Sequence, residues 1–318
     1  MKTPNDHQRY LIEEFVEAYQ GRAMSRRELL RRSLLVTGSL AMTASTLLLL
    51  GCGADDSEPE PQASEATAPP EASAEPAATA SASPTGVPED GSDVEGGEIT
   101  FAGPAGDIFA YLARPSAEGS YAAIVVIHEN RGLLPHFEDV ARRYAGEGFV
   151  ALAIDLASRL GGSGTAGESV GQIPPDDLVA DLQAGLDYLK QQDFVLADAL
   201  GVTGFCFGGG YTFDLAAASA DIKAAVPYYG TARRAISMGL GETQAAVLVM
   251  YGESDTRITG ERADVEAALG QSGAPFEIMV HAGADHAFFN DTGNRYNEAA
   301  AEAAWTATLA WFRQHLGA

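Results

Sequence analysis

The stretch Leu200-Gly201-Val202-Thr203-Gly204-Phe205-Cys206-Phe207-Gly208-Gly209-Gly210 joins an apolar run to a glycine-rich turn with a cysteine at its centre. Its middle has the form G-x-S-x-G with cysteine in the serine position. In that pattern a strand ends in a sharp turn, projects the nucleophile above the sheet and enters a helix. Small residues two before and two after the nucleophile avoid clashes within the turn. The N-terminus of the following helix points at the sulfur and favours thiolate and any developing oxyanion there. A buried core cysteine beside a tight glycine turn fits the same eleven residues, so neighbouring segments have to decide.

Downstream, the apolar strand Ala246–Tyr251 runs into Gly252-Glu253-Ser254-Asp255. The strand Phe276–His281 runs into Ala282-Gly283-Ala284-Asp285-His286. Asp255 and His286 are therefore expected on loops beyond the carboxyl ends of parallel strands, where open α/β sheets bind ligands. Nucleophile, acid and histidine then follow one another in the chain order of G-x-S-x-G hydrolases. Cys206, Asp255 and His286 form the expected triad, with Glu253 and Asp285 as rival acids. His281 lies at the end of its strand and reads as structural. His128 and His136 come too early for this order.

Upstream and between these motifs, strands alternate with helices. Glu98–Ala102 and Asp107–Ala113 read as a hairpin around Gly103–Gly106. Ala122–Ile127, Phe149–Ile154, Leu200–Phe205 and Ala224–Tyr229 are continuous apolar runs of the buried, parallel type. Phe137–Gly146, Asp176–Gln191 and Arg295–Leu316 have helical spacing, with Leu178, Leu182, Leu186 and Leu189 along one face of the second. The pattern predicts an α/β domain over residues 97–318, a mostly parallel central sheet with helices on both faces.

From about Gly97 onward the chain resembles the dienelactone hydrolase family of carboxymethylenebutenolidases. The residues that carry the resemblance are Cys206 in G-F-C-F-G-G, the strand end Val126-Ile127-His128-Glu129-Asn130-Arg131-Gly132, Asp255 and His286. The resemblance implies an α/β-hydrolase fold, a small ester or lactone as substrate, and no cofactor. It also implies a glutamate after the third strand, matched by Glu129, that contacts the thiol and helps ionise it when substrate arrives. The family's carboxylate-binding arginine four residues after the histidine is replaced here by Asn290. Arg131, Arg159, Arg257 and Arg295 are the remaining candidate anion contacts. Phe205 and Phe288, with Phe207 and Phe289, are candidates for an apolar pocket.

The chemistry is coherent on the residues alone. A free thiol has a pKa of about 8.5 and is mostly protonated at neutral pH. His286 is placed to take that proton or supply one to a leaving group, with Asp255 fixing its tautomer. The backbone N–H groups of Phe207 and Asn130 are the expected oxyanion donors. A thiolate is a good nucleophile but a weak base, so activated esters, lactones or thioesters are expected as substrates, and amides are not. A broader carboxylesterase or thioesterase with the same triad is the alternative enzyme. A catalytically silent, envelope-binding lipoprotein is the alternative from another class. His128-Glu129 lacks the paired ligand spacing of a zinc helix, so no metal is expected.

Residues 1–51 read as an export signal to be kept out of the fold. Ser25-Arg26-Arg27-Glu28-Leu29-Leu30 resembles a twin-arginine motif, and Ser33 to Leu50 is uncharged. Leu49-Leu50-Gly51-Cys52 resembles a bacterial lipobox, which makes Cys52 a lipidation site and the membrane a partner. The residues before Met24 form an acidic prefix with helical potential, including Glu13, Glu14 and Glu17. Residues 52–96 read as a disordered tether, holding seven of the fifteen prolines and no aromatic or basic residue. Such a composition cannot offset the entropy of ordering. The expected location is the bacterial cell envelope, exported and lipid-anchored.

The chain carries 20 Lys and Arg against 44 Asp and Glu. Seven basic and five acidic residues fall before Cys52, which leaves a net charge of -26 on the remainder. So acidic a body repels phosphate backbones, which excludes nucleic acid as a partner. The two cysteines, Cys52 and Cys206, have separate expected tasks, so no disulfide is expected.

Overall fold

The structure, a computed structural model, describes residues 6–20, 24–39, 43–44 and 93–317. Eight strands form one sheet in the order β1-β2-β4-β3-β5-β6-β7-β8. They are β1 (Val94–Gly103), β2 (Gly106–Pro115), β3 (Tyr121–Ile127), β4 (Val150–Ile154), β5 (Val195–Phe205), β6 (Ile222–Tyr228), β7 (Ala246–Gly252) and β8 (Phe276–His281). β1 pairs antiparallel with β2, and β2 antiparallel with β4. All remaining pairs are parallel. The continuous apolar runs of β4 and β7 are buried at every position. That is what a sheet covered on both faces requires of its inner strands.

The long helices of the domain are α3 (Pro135–Gly146), α4 (Pro175–Lys190), α5 (Phe207–Ala218), α6 (Arg262–Ser272) and α7 (Glu298–Leu316). Two more, α1 (Asp6–Gln20) and α2 (Arg26–Thr37), precede the sheet. On one face α3 meets α7, with the Tyr144 ring 4.5 Å from that of Trp305. Phe312 of α7 lies over Gly201 of β5, where a β-carbon would leave 2.9 Å to the ring. On the other face Arg234 ties α4 to α5 by pairing with both Asp176 and Asp214. This is the α/β architecture expected from the strand and helix order.

The observed elements differ from the expected ones mainly at their ends. β1 begins at Val94, so the folded domain takes in three residues assigned to the tether. Val94 is buried and pairs with Pro115. The Gly96-Gly97 pair hid the strand, yet Gly96 makes room for Tyr111, since a β-carbon would lie 2.5 Å from the Tyr111 hydroxyl oxygen. β5 starts five residues before Leu200, since Leu196, Ala197 and Asp198 are exposed and carry no burial pattern. α7 starts at Glu298 because Asn297 caps it, accepting a hydrogen bond from Ala300 N at 3.2 Å.

The larger correction is at the N-terminus. Residues 1–51 were expected to lie outside the fold, but α1 and α2 pack onto the domain. Leu11, Ile12, Phe15 and Val16 of α1 are buried, as are Leu29 and Val36 of α2. Leu11 and Val36 both reach Gly171, which has no side chain to keep them away. Their apolar spacing at i, i+1, i+4 and i+5 makes α1 amphipathic, and an amphipathic helix is stabilised by covering its apolar face. Ser25 caps α2 and accepts from Glu28 N, and Glu28 pairs with Arg31 and Arg32. Arg26 and Arg27 remain exposed. Cys52, the lipobox around it and tether residues 53–92 lie outside the described residues. Among the described residues, no helix is long and apolar enough to cross a membrane.

Candidate active site

Because β3, β5, β6, β7 and β8 are parallel, their carboxyl ends open on one edge of the sheet. β5 ends at Phe205, and Cys206 follows with φ 56 and ψ -113 before α5 begins. A positive φ at a non-glycine residue is strained by about 1–3 kcal/mol and persists only where its surroundings enforce it. The enforcement is visible in the glycines. A β-carbon on Gly204 would strike Gly208 and lie 2.6 Å from Thr212 Oγ1. One on Gly208 would lie 2.6 Å from the His128 carbonyl oxygen, so the start of α5 packs directly on the end of β3. Cys206 N–H donates to the Tyr228 carbonyl at 3.0 Å, which binds the turn to β6.

β7 delivers Asp255, which caps the short helix Thr256–Thr259 by accepting from Ile258 N through Oδ1 at 3.2 Å. Its other oxygen, Oδ2, lies 2.6 Å from His286 Nδ1. Both residues are buried, Asp255 at 4% and His286 at 1% exposure. The rival acids are occupied elsewhere. Glu253 accepts from Gly283 N at 2.9 Å, and Asp285 accepts from the His286 backbone N–H at 2.7 Å. Burial disfavours a charged His286 ring. The neighbouring Cys206 sulfur outweighs it, with the Asp255 carboxylate, and holds the ring up at about 9. His286 and Cys206 thus share one electrostatic unit. Cys206 and His286 line one cavity, and Asp255 contacts the His286 ring.

Glu129 follows β3 on the rim of the same cavity, which measures about 530 Å³. Asn290 Nδ2 donates to Glu129 Oε2 at 3.1 Å, and the Tyr229 hydroxyl donates to Oε1 at 3.5 Å. Asn290 therefore holds Glu129. Asn130, Arg131 and Arg295 line the cavity as well. Tyr229 was not singled out from the sequence. It lies just beyond β6, with φ 37 and its ring 5.1 Å from that of His286. The rule that located Asp255 and His286 at strand ends would have found it. Ala287, with φ 60, is the remaining non-glycine residue of positive φ among those described. All three such residues border this cavity or its histidine.

Several expected contacts are placed elsewhere. Phe205 and Phe288 are fully buried and do not line the cavity. Phe205 shares its sheet face with Gly201 and Thr203 and packs on Phe137, Tyr228 and Phe289. Phe288 packs on His281, Tyr228 and Tyr229. Both are core residues. Arg159 is held by Asp177 and Asp181 and serves the fold. His128 is neutral and structural. Its Nε2 accepts from Leu156 N at 3.1 Å, which leaves Nδ1–H to donate to the Glu129 carbonyl at 2.6 Å. His136 lies 3.0 Å from Asp291, which helps hold that carboxyl far below its usual range.

The residue no sequence signal pointed to is Glu14. It projects from α1 into the cavity, buried at 7% exposure. The Cys206 thiol donates to its Oε2 at 3.5 Å, and His286 Nε2 lies 3.2 Å from the same oxygen. Its Oε1 pairs with the Arg257 guanidinium. Glu14, Cys206 and His286 each place a polar atom within 4.8 Å of the other two. A carboxylate 192 positions before the cysteine, within an apparent targeting segment, gives no local pattern to read.

Residues 108–316 match the model of the dienelactone hydrolase family. A Salmonella typhimurium protein provisionally named a carboxymethylenebutenolidase is 33% identical over 228 residues, covering 66% of this chain and 84% of that protein. A Bradyrhizobium protein provisionally named a 2-oxo-3-(5-oxofuran-2-ylidene)propanoate lactonase is 32% identical over 222 residues, covering 65% and 89%. Among solved structures, that of a Klebsiella pneumoniae protein provisionally named a dienelactone hydrolase superposes with a TM-score of 0.64. It is 31% identical and covers 70% of this chain and 99% of its own. With the strand order, the elbow at Cys206 and these matches together, the chain belongs to the dienelactone hydrolase family.

Proposed function

We propose that this protein hydrolyses small activated esters or lactones through a thioester formed on Cys206. The observation that carries the reading is the buried His286 ring, oriented by Asp255 at 2.6 Å, on a cavity shared with a cysteine in a strained strand-to-helix turn. In this reading His286 takes the thiol proton and Asp255 stabilises the imidazolium that results. The thiolate adds to the substrate carbonyl, and the oxyanion formed accepts from the Phe207 and Asn130 backbone N–H groups. Collapse breaks the bond to the leaving oxygen, which His286 protonates. Water, deprotonated by His286, then attacks the thioester, releasing the acid and restoring the thiol. Glu129 is the carboxylate that assists thiol ionisation once substrate is bound. A relative provisionally named as a lactonase supports lactones within the substrate class.

The test is an acyl adduct. The full chain, and a Glu14→Ala variant lacking the carboxylate beside Cys206, are mixed with aryl esters and enol lactones and quenched mid-reaction. Peptide mass spectrometry is expected to find the acyl group on Cys206, and Cys206→Ala to abolish both adduct and turnover. Turnover that survives in Cys206→Ala refutes the thioester.

Residues 1–51 are proposed to direct export through a twin-arginine-type signal, with lipidation at Cys52 anchoring the domain in the cell envelope. Glycerol-linked and amide-linked acyl chains act through burial of methylenes, roughly 0.8 kcal/mol each. Cys52→Ser is expected to move the protein from the membrane to the soluble fraction of a producing bacterium. Unchanged sedimentation with membranes refutes the anchor.

A further inference from the structure

We propose that α1 is an intramolecular plug, and that Glu14 keeps the Cys206–His286 pair silent by acting as a tethered product acid. The inference rests on the reading of Cys206 as nucleophile. Hydrolysis at Cys206 ends with a carboxylate beside the thiol and His286, and that is the group Glu14 presents. Its Oε2 takes the thiol hydrogen at 3.5 Å and lies 3.2 Å from His286 Nε2, so one oxygen engages both reacting groups. Arg257 holds the other oxygen. A carbonyl cannot reach the sulfur while the carboxylate is there. Cys206 is 4% exposed and His286 1% exposed in this state.

The plug is built as an element of the fold. Leu11, Ile12, Phe15 and Val16 bury the rest of the helix face that carries Glu14. Gln8 Nε2 donates to the Val36 carbonyl at 2.9 Å, which locks α1 against α2. Arg32 of α2 lies over the Phe15 ring at 6.0 Å. Phe15, Met24, Glu28 and Arg32 line the cavity together with Asn130 and Arg131. A charged carboxylate is costly to bury unless it is paired, and here the Arg257 guanidinium supplies the pairing, with His286 Nε2 3.2 Å from the other oxygen. The segment read as an export signal contains both helices, so its removal ahead of Cys52 would lift the plug and leave the catalytic domain intact. Hydrolysis would then be confined to the place where the protein is processed.

The test uses the full chain with iodoacetamide, following alkylation of the Cys206 peptide by mass spectrometry, alongside aryl ester hydrolysis. Two variants are compared with the parent. Glu14→Ala removes the carboxylate, and Leu11→Asp undocks α1 while keeping Glu14. Circular dichroism melts verify that each is folded. Both variants are expected to alkylate at Cys206 at least tenfold faster than the parent. Equal rates in all three proteins overturn the proposal. Acceleration in Leu11→Asp alone overturns the assignment to Glu14. Faster alkylation without ester hydrolysis supports the plug and refutes the hydrolase reading. Hydrolysis with unchanged alkylation does the reverse.

Discussion

Asp255 makes two separable contacts, and that permits a quantitative prediction. Oδ1 caps the Thr256–Thr259 helix and Oδ2 receives the His286 ring. Asp255→Asn retains an N-cap of about equal worth and removes only the charge facing Nδ1. A charge-assisted hydrogen bond between buried groups contributes about 1.5–3 kcal/mol. At about 1.4 kcal/mol per decade, kcat/KM for an aryl ester should fall about 10- to 150-fold. Reversal of the imidazole tautomer, which puts a proton where the thiol proton must go, deepens the loss toward about 10⁴-fold. Asp255→Ala loses the cap as well, costing about 1 kcal/mol more, or roughly 2–4 °C of melting temperature in a domain of this size. The sign of the pH effect follows from His286, raised from 6.5 to about 9. Its contribution to stability is full below pH 6.5 and is lost as pH rises through about 9. In Asp255→Asn that pH-dependent loss shrinks, because one of the groups holding the ring charged is gone. The assay is ester kinetics in the parent and Glu14→Ala backgrounds, with thermal melts from pH 6 to 10. In the Glu14→Ala background, an Asn variant within threefold of the rate with Asp255 intact, with an unaltered melting profile, refutes the assigned role.

Gly208→Ala should be destabilising by about 1–3 kcal/mol, since the added carbon meets the backbone of Ile127 and His128 and cannot be accommodated by a rotamer change. Gly270→Ala, in α6 with open space around it, should instead stabilise the fold by about 0.4–1 kcal/mol; equal effects of the two changes would contradict the packing described. Asp291 is held far below its usual range, first by His136 and then by Arg143. Its stabilisation is present above the unfolded carboxylate value of about 3.9 and is lost as pH falls below it. Asp291→Asn should therefore be less stable than the parent at pH 6, by about 1 kcal/mol after allowance for solvent screening, and the gap should close toward pH 2.

How far the site was legible depends on the kind of signal each residue leaves. Asp255 and His286 terminate apolar runs, so the end of hydrophobic burial marks them directly. The glycines around Cys206 report backbone contacts with β3, β6 and their own helix, which only a tight turn demands. Phe205 and Phe288 were misplaced for a geometric reason. Side chains alternate across a strand, which sends Phe205 into the core while Cys206 lines the cavity, and Phe288 is taken up by the rings of Tyr228, Tyr229 and His281. Asn290 was noticed as a missing arginine, but its partnership with Glu129 needs the loop after β8 folded back over the end of β3. Glu14 lay beyond reach because its meaning arises wholly from a tertiary contact. The periodicity of α1 announces an apolar face without saying what will cover it.

Both tryptophans of the chain, Trp305 and Trp311, sit on α7. Trp305 packs on Tyr144, and the Trp311 indole donates to the Ala246 carbonyl at 3.2 Å. Neither lies in the cavity entrance where α1 docks. Tryptophan emission is therefore an optical report on the sheet and its C-terminal helix, blind to the N-terminal segment. A dye placed on α1 would supply the missing channel. Read together, the two colours separate an opening of the cleft from a loss of the fold, which activity alone would confuse.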